Sequence, residues 1–166
     1  IVKDLEFTSL HSYLDELLTE CVEDDRLIIG YSQREYDVLC DVLPERIDEI
    51  NGVYLNAIAT KWFKNRYRLE MKALAKTKKK AKHYRDRSIG LKDILDFDFV
   101  AYEVEPWAKG VKPAKNIRRM INALEQTGDY KSVTRRTKSA WTMMLRYNQV
   151  DVEGLHYLLQ WILDNQ

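Results

Sequence analysis

The 166-residue sequence lacks the long apolar runs, abundant cysteines and glycine-rich loops that mark several large classes of protein. No apolar run approaches the ~20 residues that a membrane helix needs, and no signal-peptide pattern opens the chain, so we expect no membrane-spanning segment. There are only two cysteines, Cys21 and Cys40, and both fall at apolar positions of predicted helices. This favours buried free thiols over a disulfide and fits a cytoplasmic location.

Motifs of high specificity are also missing. There is no glycine-rich phosphate loop, nucleophile elbow or paired-cysteine zinc motif. The three histidines, His11, His83 and His156, show no ligand spacing, so we interpret them as structural or surface residues. The formal net charge of +1 gives no overall attraction to nucleic acid. With 45% hydrophobic and 32% charged residues, the composition is that of a globular protein, and the length fits one domain over residues 1–166.

Hydrophobic periodicity predicts an α/β order at the start of the chain. Residues 8–23 place apolar side chains at helical spacing, with Thr8 or Ser9 able to cap the helix. The short apolar run "LIIGY" (27–31) favours a buried strand because of its length and its two isoleucines. Helical spacing returns over residues 32–43 and stops at Pro44. The order helix, strand, helix is half of an α/β unit.

The remainder predicts mainly helices, with one further strand considered. The expected segments are a short helix from Pro44 to about 51, a long helix over 54–74, a short helix through 91–95, an edge strand at 99–105, a helix from Pro113 to near Gly128, and helical structure over 132–164 interrupted around Tyr147. We predict an α/β, helix-rich fold. An all-helical domain is the alternative, because only one strand is well supported.

A basic segment, "KALAKTKKKAKHYRDR" (72–87), contrasts with the acidic first 50 residues. Such asymmetry can mark a surface that faces phosphates, whereas the alternative is a solvated basic loop. The candidate nucleic-acid-binding residues in it are Lys78, Lys79, Lys80 and Lys82. If they neutralise phosphates, binding will depend steeply on salt.

Two small groups of residues suggest chemistry. Tyr147 and Asp151 are four residues apart, so on a helix their side chains lie on the same face. We expect Asp151 to begin a helix, where the dipole favours an anion, and its carboxylate could then hold a divalent metal. Glu35 and Asp37 directly follow the predicted strand, at the edge where α/β sheets place ligand groups. The alternatives are an ordinary surface pair and simple charge complementarity at a helix start.

The order of "LIIGY", "SQREYDVLCDVL", "YLNAIATKWFKNRY", "SIGLKDIL" and "WTMMLRYNQVDVEGLHYLLQWI" resembles the later part of a ribonuclease H-like 3′–5′ exonuclease domain. More narrowly, it resembles the predicted ribonuclease H-like nucleases found beside helicase and RecB-like modules. Those domains hold two metals with four acidic residues from three motifs. Their last motif, Tyr-x-x-x-Asp, is matched by Tyr147 and Asp151, and their middle acidic residue by Glu35, with Asp37 as the alternate.

The resemblance implies a metal-dependent nuclease that hydrolyses DNA or RNA, mostly at single-stranded ends, with two Mg²⁺ or Mn²⁺ ions. Asp151 would bind one ion, Glu35 the second, and Tyr147 would orient the attacking water. A helicase or another nucleic-acid-processing module is the implied partner.

The first motif of the family, Asp-x-Glu on the first strand, has no good match. Asp4 and Glu6 would share one face of a strand, but only residues 7–9 separate them from the first helix. That is too short for the two strands that the family places there. We therefore expect the first acidic pair, with its strand, to lie ahead of Ile1 or to be lost. Its absence favours the competing hypothesis, a non-catalytic nucleic-acid-binding or protein-interaction domain that retains the nuclease scaffold.

Overall fold

The structure is a computed structural model that describes residues 3, 8–56, 61–80, 90–110 and 113–165. These residues fall into two compact units, one within residues 7–89 and the other within residues 90–166. Each unit is described by itself. Among the described residues, no helix is both long enough and apolar enough to cross a membrane.

The first unit is built around a small parallel sheet. Its elements are α1 (Leu10–Glu23), β1 (Ile28–Gly30), α2 (Gln33–Val42), a 3-10 turn (Pro44–Arg46), α3 (Ile47–Val53), β2 (Tyr54–Asn56), α4 (Lys61–Arg66) and α5 (Arg68–Lys80). β1 and β2 pair in parallel, with Ile28 opposite Tyr54 and Gly30 opposite Asn56. The sheet confirms the prediction of an α-rich α/β fold over the all-helical alternative; the ribonuclease H-like topology stays a prediction.

Helices α1, α2 and α3 enclose the core of this unit. Leu14, Leu18, Leu39, Leu43 and Ile50 form its buried cluster, and Ile28 and Tyr54 from the two strands pack against it. The caps follow from the sequence: Ser9 accepts a hydrogen bond from the amide of Ser12, and Ser32 caps α2. The predicted apolar stripe of α1 is wrong at its edges, because Leu10 and Tyr13 are 57% and 54% exposed.

Two predictions in this unit need correction. The long helix predicted over 54–74 is described as helix from Lys61 onward, and it is interrupted at Tyr67, between α4 and α5; residues 57–60 lie outside the described part of the chain. The first three residues of the predicted helix form β2 instead, because Tyr54 packs on the core as a partner of β1. β1 itself is less buried than predicted, since Ile29 is 36% exposed.

The second unit is helical in its described residues. Its elements are α6 (Leu91–Leu95), a 3-10 turn (Pro106–Gly110), α7 (Pro113–Thr127), a second 3-10 turn (Tyr130–Ser132) and α8 (Arg135–Asp164). α7 ends as predicted, before Gly128, whose φ of +67° is left-handed backbone that glycine adopts without strain. Met120, Tyr130 and Val133 form a buried cluster with Trp141 of α8 packed against it.

Two predictions for this unit are wrong. Residues 99–105 are turn and irregular chain, not an edge strand. The break expected around Tyr147 does not exist, because α8 continues for 30 residues. Asp151 therefore lies in the interior of α8, far from the helix N-terminus at Arg135, and the helix dipole gives its carboxylate no special stabilisation. Residues 135–153 of α8 contain no glycine or proline, so no local signal ends the helix near Tyr147.

Candidate functional site

Tyr147 and Asp151 lie on the face of α8 that meets α6, and a lysine from α6 contacts both. The ammonium of Lys92 donates a hydrogen bond to Asp151 Oδ1 at 2.5 Å. The same nitrogen lies 3.4 Å from the centre of the Tyr147 ring, a cation–π contact. The side chains of Lys92 and Asp151 are 21% and 34% exposed. The sequence prediction that Tyr147 and Asp151 share one face is confirmed, but it did not foresee Lys92.

Close packing of α6 on α8 brings Lys92 to this position. A Cβ on Gly154 would lie 2.6 Å from Leu95 Cδ1, so a side chain at residue 154 would force the Leu95 side chain to shift. Leu95 is 1% exposed and lies three residues after Lys92, while Gly154 lies three residues after Asp151. The apolar contact and the ion pair are therefore neighbouring parts of one helix interface.

The arrangement determines what Asp151 and Tyr147 can bind. A single carboxylate faces a single ammonium, so the charge that a divalent ion would require is already neutralised. The Tyr147 hydroxyl bonds no residue that the structure describes, and it remains available to a water or a ligand. A metal at Asp151 would have to displace Lys92 first.

Glu35 and Asp37 lie in the other unit, on the first turns of α2. The Ser32 amide and Ser32 hydroxyl both donate to Glu35 Oε2, at 3.0 and 2.6 Å, which completes a capping box. Asp37 Oδ1 accepts one longer hydrogen bond, 3.3 Å, from the side-chain amide nitrogen Nε2 of Gln33. Glu35 thus caps the N-terminus of α2, and Asp37 is the carboxylate of the two with fewer hydrogen bonds.

The chain between β1 and α2 is fixed by Tyr54 of β2. Its hydroxyl donates to the carbonyl oxygen of Ser32 at 2.9 Å. Burial raises the pKa of the Tyr54 phenol above its ordinary value, and the nearby charge of Glu35 adds to the effect. A Cβ on Gly30 would lie 1.9 Å from that hydroxyl oxygen, so only glycine leaves room for the bond. Tyr54 therefore holds Ser32, and Ser32 in turn holds Glu35 through its two hydrogen bonds.

The lysine run is only partly described. Lys78, Lys79 and Lys80 form the end of α5, but their side chains lie outside the described part of the chain, as does all of Lys82. Asp4 and Glu6 also lie outside it. Within the ranges described, no group of three or more histidine, cysteine, aspartate or glutamate side chains could hold a metal ion. The free state predicted for Cys21 and Cys40 is confirmed, with Cys21 buried and Cys40 partly buried.

Sequence reasoning also missed a basic groove between α7 and α8, lined by Arg118, Arg119 and Arg136 among others. Lys115, Arg118 and Arg119 recur at helical spacing in the sequence, which indicates one basic helix face. The prediction of a nucleic-acid-binding surface rested instead on the denser lysine run at 72–87. The nuclease resemblance rests on motifs within the chain alone: no known protein family, curated protein or solved structure matches it.

Proposed function

We propose that the chain is part of a metal-dependent nuclease with a ribonuclease H-like fold, a 3′–5′ exonuclease that hydrolyses phosphodiester bonds of DNA or RNA. The observation that carries the proposal is the pair of Tyr147 and Asp151, side by side and partly exposed on the packed face of α8. The placement of Glu35 and Asp37 directly after the parallel strand β1 supports it. The two free thiols fit a reducing compartment, for which we propose the cytoplasm.

In this proposal the residues have separate roles. Asp151 offers a carboxylate of the kind that Mg²⁺ and Mn²⁺ prefer, and in the other unit Asp37 and Glu35 are carboxylates of the same kind. A bound ion would supply a more acidic water and stabilise the leaving 3′ oxygen. The Tyr147 hydroxyl would orient the attacking water. Lys92 would move from Asp151 to a phosphate of the substrate, so that its charge is not lost when the site fills.

The test is hydrolysis of a labelled single strand with Mn²⁺ in the full chain. We expect Asp151→Asn to reduce the rate on the order of 100-fold or more, because it removes the anionic ligand while keeping the size of the side chain. Asp164→Asn, at the exposed end of the same helix, is the matched control and should leave the rate unchanged. Equal rates for Asp151→Asn and the wild-type chain would remove Asp151 from the site.

The second candidate is a non-catalytic domain that binds nucleic acid or a protein such as a helicase. The observations that favour it are the ion pair between Asp151 and Lys92 and the use of Glu35 in a helix cap. The same assay separates the two candidates. A chain that binds the strand but shows no Mn²⁺-dependent hydrolysis belongs to the second.

A further inference from the structure

A groove between α7 and α8 is lined by basic side chains. It has a volume of about 830 Å³. Its polar lining consists of four basic and two amide side chains, with a threonine at its edge: Lys115, Arg118, Arg119, Arg136, Asn122, Gln126 and Thr137. No carboxylate is among the lining residues.

These cations have no protein counter-charge in the part of the chain that is described. None of Lys115, Arg118, Arg119 and Arg136 forms an ion pair or hydrogen bond with a described residue. Arg46 in the other unit is different, because it bonds two carboxylates. Four like charges in one concavity repel one another, and a polyanion relieves that repulsion.

The polar residues that line the groove follow one face of α7. Lys115, Arg118 and Arg119 span about 6 Å of that face, and Asn122 and Gln126 continue it to about 16 Å. A stacked strand of nucleic acid advances ~3.4 Å per phosphate, so roughly two phosphates could lie beside the three cations of α7. Arg136 lies in the first turn of α8, where the positive end of the helix dipole adds to the attraction.

The two helices that form the groove pack on a buried cluster. Met120 and Tyr130 are 2% exposed, and Trp141 packs against them from α8. The side chain of Thr137 is held by the hydroxyl of Thr134 at 3.2 Å. The basic side chains therefore project from a fixed helix pair, which limits the entropy lost when a ligand orders them.

We propose that this groove binds the sugar-phosphate backbone of a single-stranded nucleic acid. Arginine presents a planar fork that matches phosphate oxygens, and three arginines line the groove. Asn122 and Gln126 offer donors and acceptors that suit sugars and base edges. A flexible strand can follow the face of α7 that these residues line.

This inference takes only the identity of its ligand from the proposed function, and binding in the groove requires neither a metal nor hydrolysis. The experiment therefore measures the affinity of the full chain for a labelled single strand in EDTA, at several salt concentrations. Loss of hydrolysis in Asp151→Asn with unchanged affinity would separate failure at the catalytic pair from failure at the groove.

The test variant is Arg118→Gln with Arg119→Gln. Its matched control is Arg66→Gln with Arg68→Gln, which removes the same charge from exposed positions outside the groove and outside the basic segment at 72–87. We expect the groove variant to bind roughly 10-fold more weakly at 0.1 M salt, and its salt slope to fall by about 1.4, which is ~0.7 for each lost phosphate contact. The control should change both quantities much less. Arg118→Lys with Arg119→Lys, which keeps the charge, should retain most of the affinity.

Three results would overturn the proposal. The first is a wild-type chain that does not bind the strand at low salt. The second is an equal loss of affinity in the groove variant and the control, which would mean that total charge alone matters. The third is competition by polyglutamate, or by anionic lipid vesicles, as effective as competition by an unlabelled strand of equal charge. Such competition would assign the groove to an acidic protein or a membrane instead.

Discussion

Lys92 is the residue that controls what Asp151 can bind. Its ammonium contacts the carboxylate at 2.5 Å and the Tyr147 ring centre at 3.4 Å, so it occupies the space that the proposed metal would need. Removing this cation leaves the carboxylate without a counter-charge. At an effective dielectric constant of ~20, two unit charges 4 Å apart interact by about 4 kcal/mol, and solvent reduces the effect at this partly exposed site.

We therefore expect Lys92→Gln to tighten Mn²⁺ binding by roughly 5-fold to 10-fold, which corresponds to about 1 kcal/mol. Titration calorimetry measures the change. Lys138→Gln is the control, because Lys138 also lies over a tyrosine ring, 4.9 Å from the centre of Tyr130, but pairs with no described carboxylate. Identical affinities for Lys92→Gln and the wild-type chain would mean that Asp151 does not bind the ion.

Arg46 connects elements that the sequence places far apart. Its guanidinium donates to the main chain and side chain of Asp15 in α1, at 2.9 and 2.6 Å, and to Glu49 in α3, at 3.0 and 2.5 Å. The side chain of Arg46 is only 16% exposed, whereas Asp15 and Glu49 are 47% and 42% exposed. The carboxylates can regain water when the arginine is removed, so most of the loss comes from the charge-assisted bonds.

We expect Arg46→Met to lower the free energy of unfolding by about 2 kcal/mol, the size of a few charge-assisted hydrogen bonds less the solvent that replaces them. Urea denaturation followed by circular dichroism measures it. Arg26→Met is the matched control, because the ion pair of Arg26 with Asp24 is exposed at both ends, 63% and 50%. That substitution should change stability by no more than ~0.5 kcal/mol. Equal losses in the two variants would show that the bonds of Arg46 contribute no more than a surface ion pair.

The helices were predictable where local signals agreed with tertiary packing. Ser9, Ser32 and Gly128 mark helix ends that follow directly from capping chemistry. β2 was not predictable, because "YLN" has the same apolar spacing as the helix that follows, and only its pairing with β1 selects a strand. The break predicted around Tyr147 had no support from local sequence, because α8 contains no glycine or proline before Gly154. The helix therefore continues through Tyr147.

The candidate site was predictable only in part. The four-residue spacing of Tyr147 and Asp151 was enough to place both on one helix face. Lys92 is 59 residues from Asp151 in sequence, and the packing of α6 on α8 that brings them together is not revealed by spacing alone. The capping box around Glu35 follows the pattern Ser-x-x-Glu and could have been read from "SQRE". The groove between α7 and α8 was not predictable, because Arg136 joins the cations of α7 only when the two helices pack together.

At the scale of the whole molecule, the two units should respond differently to acid. In the unit of α1 to α5, Glu49 accepts hydrogen bonds from Arg46, and this interaction holds the pKa of the Glu49 carboxyl below its ordinary value of 4.5. A carboxyl with a lowered pKa stabilises the folded state fully above its ordinary pKa. That stabilisation is lost as the pH falls through the lower, folded-state pKa.

We therefore expect hydrogen exchange in α3 to quicken, relative to the intrinsic rate, as the pH falls below about 4.5, and to do so more than exchange in α7 and α8. Mass spectrometry of the intact chain, followed by digestion, resolves these helices. Glu49→Gln should remove most of this pH dependence from α3, because its amide does not titrate. Glu16→Gln, at an exposed position of α1 with no described ion pair, should leave it in place. If α3 in Glu49→Gln still lost protection over the same pH range as the wild-type chain, the acid response would have to come from another carboxyl, and the bond between Arg46 and Glu49 would not control the stability of this unit.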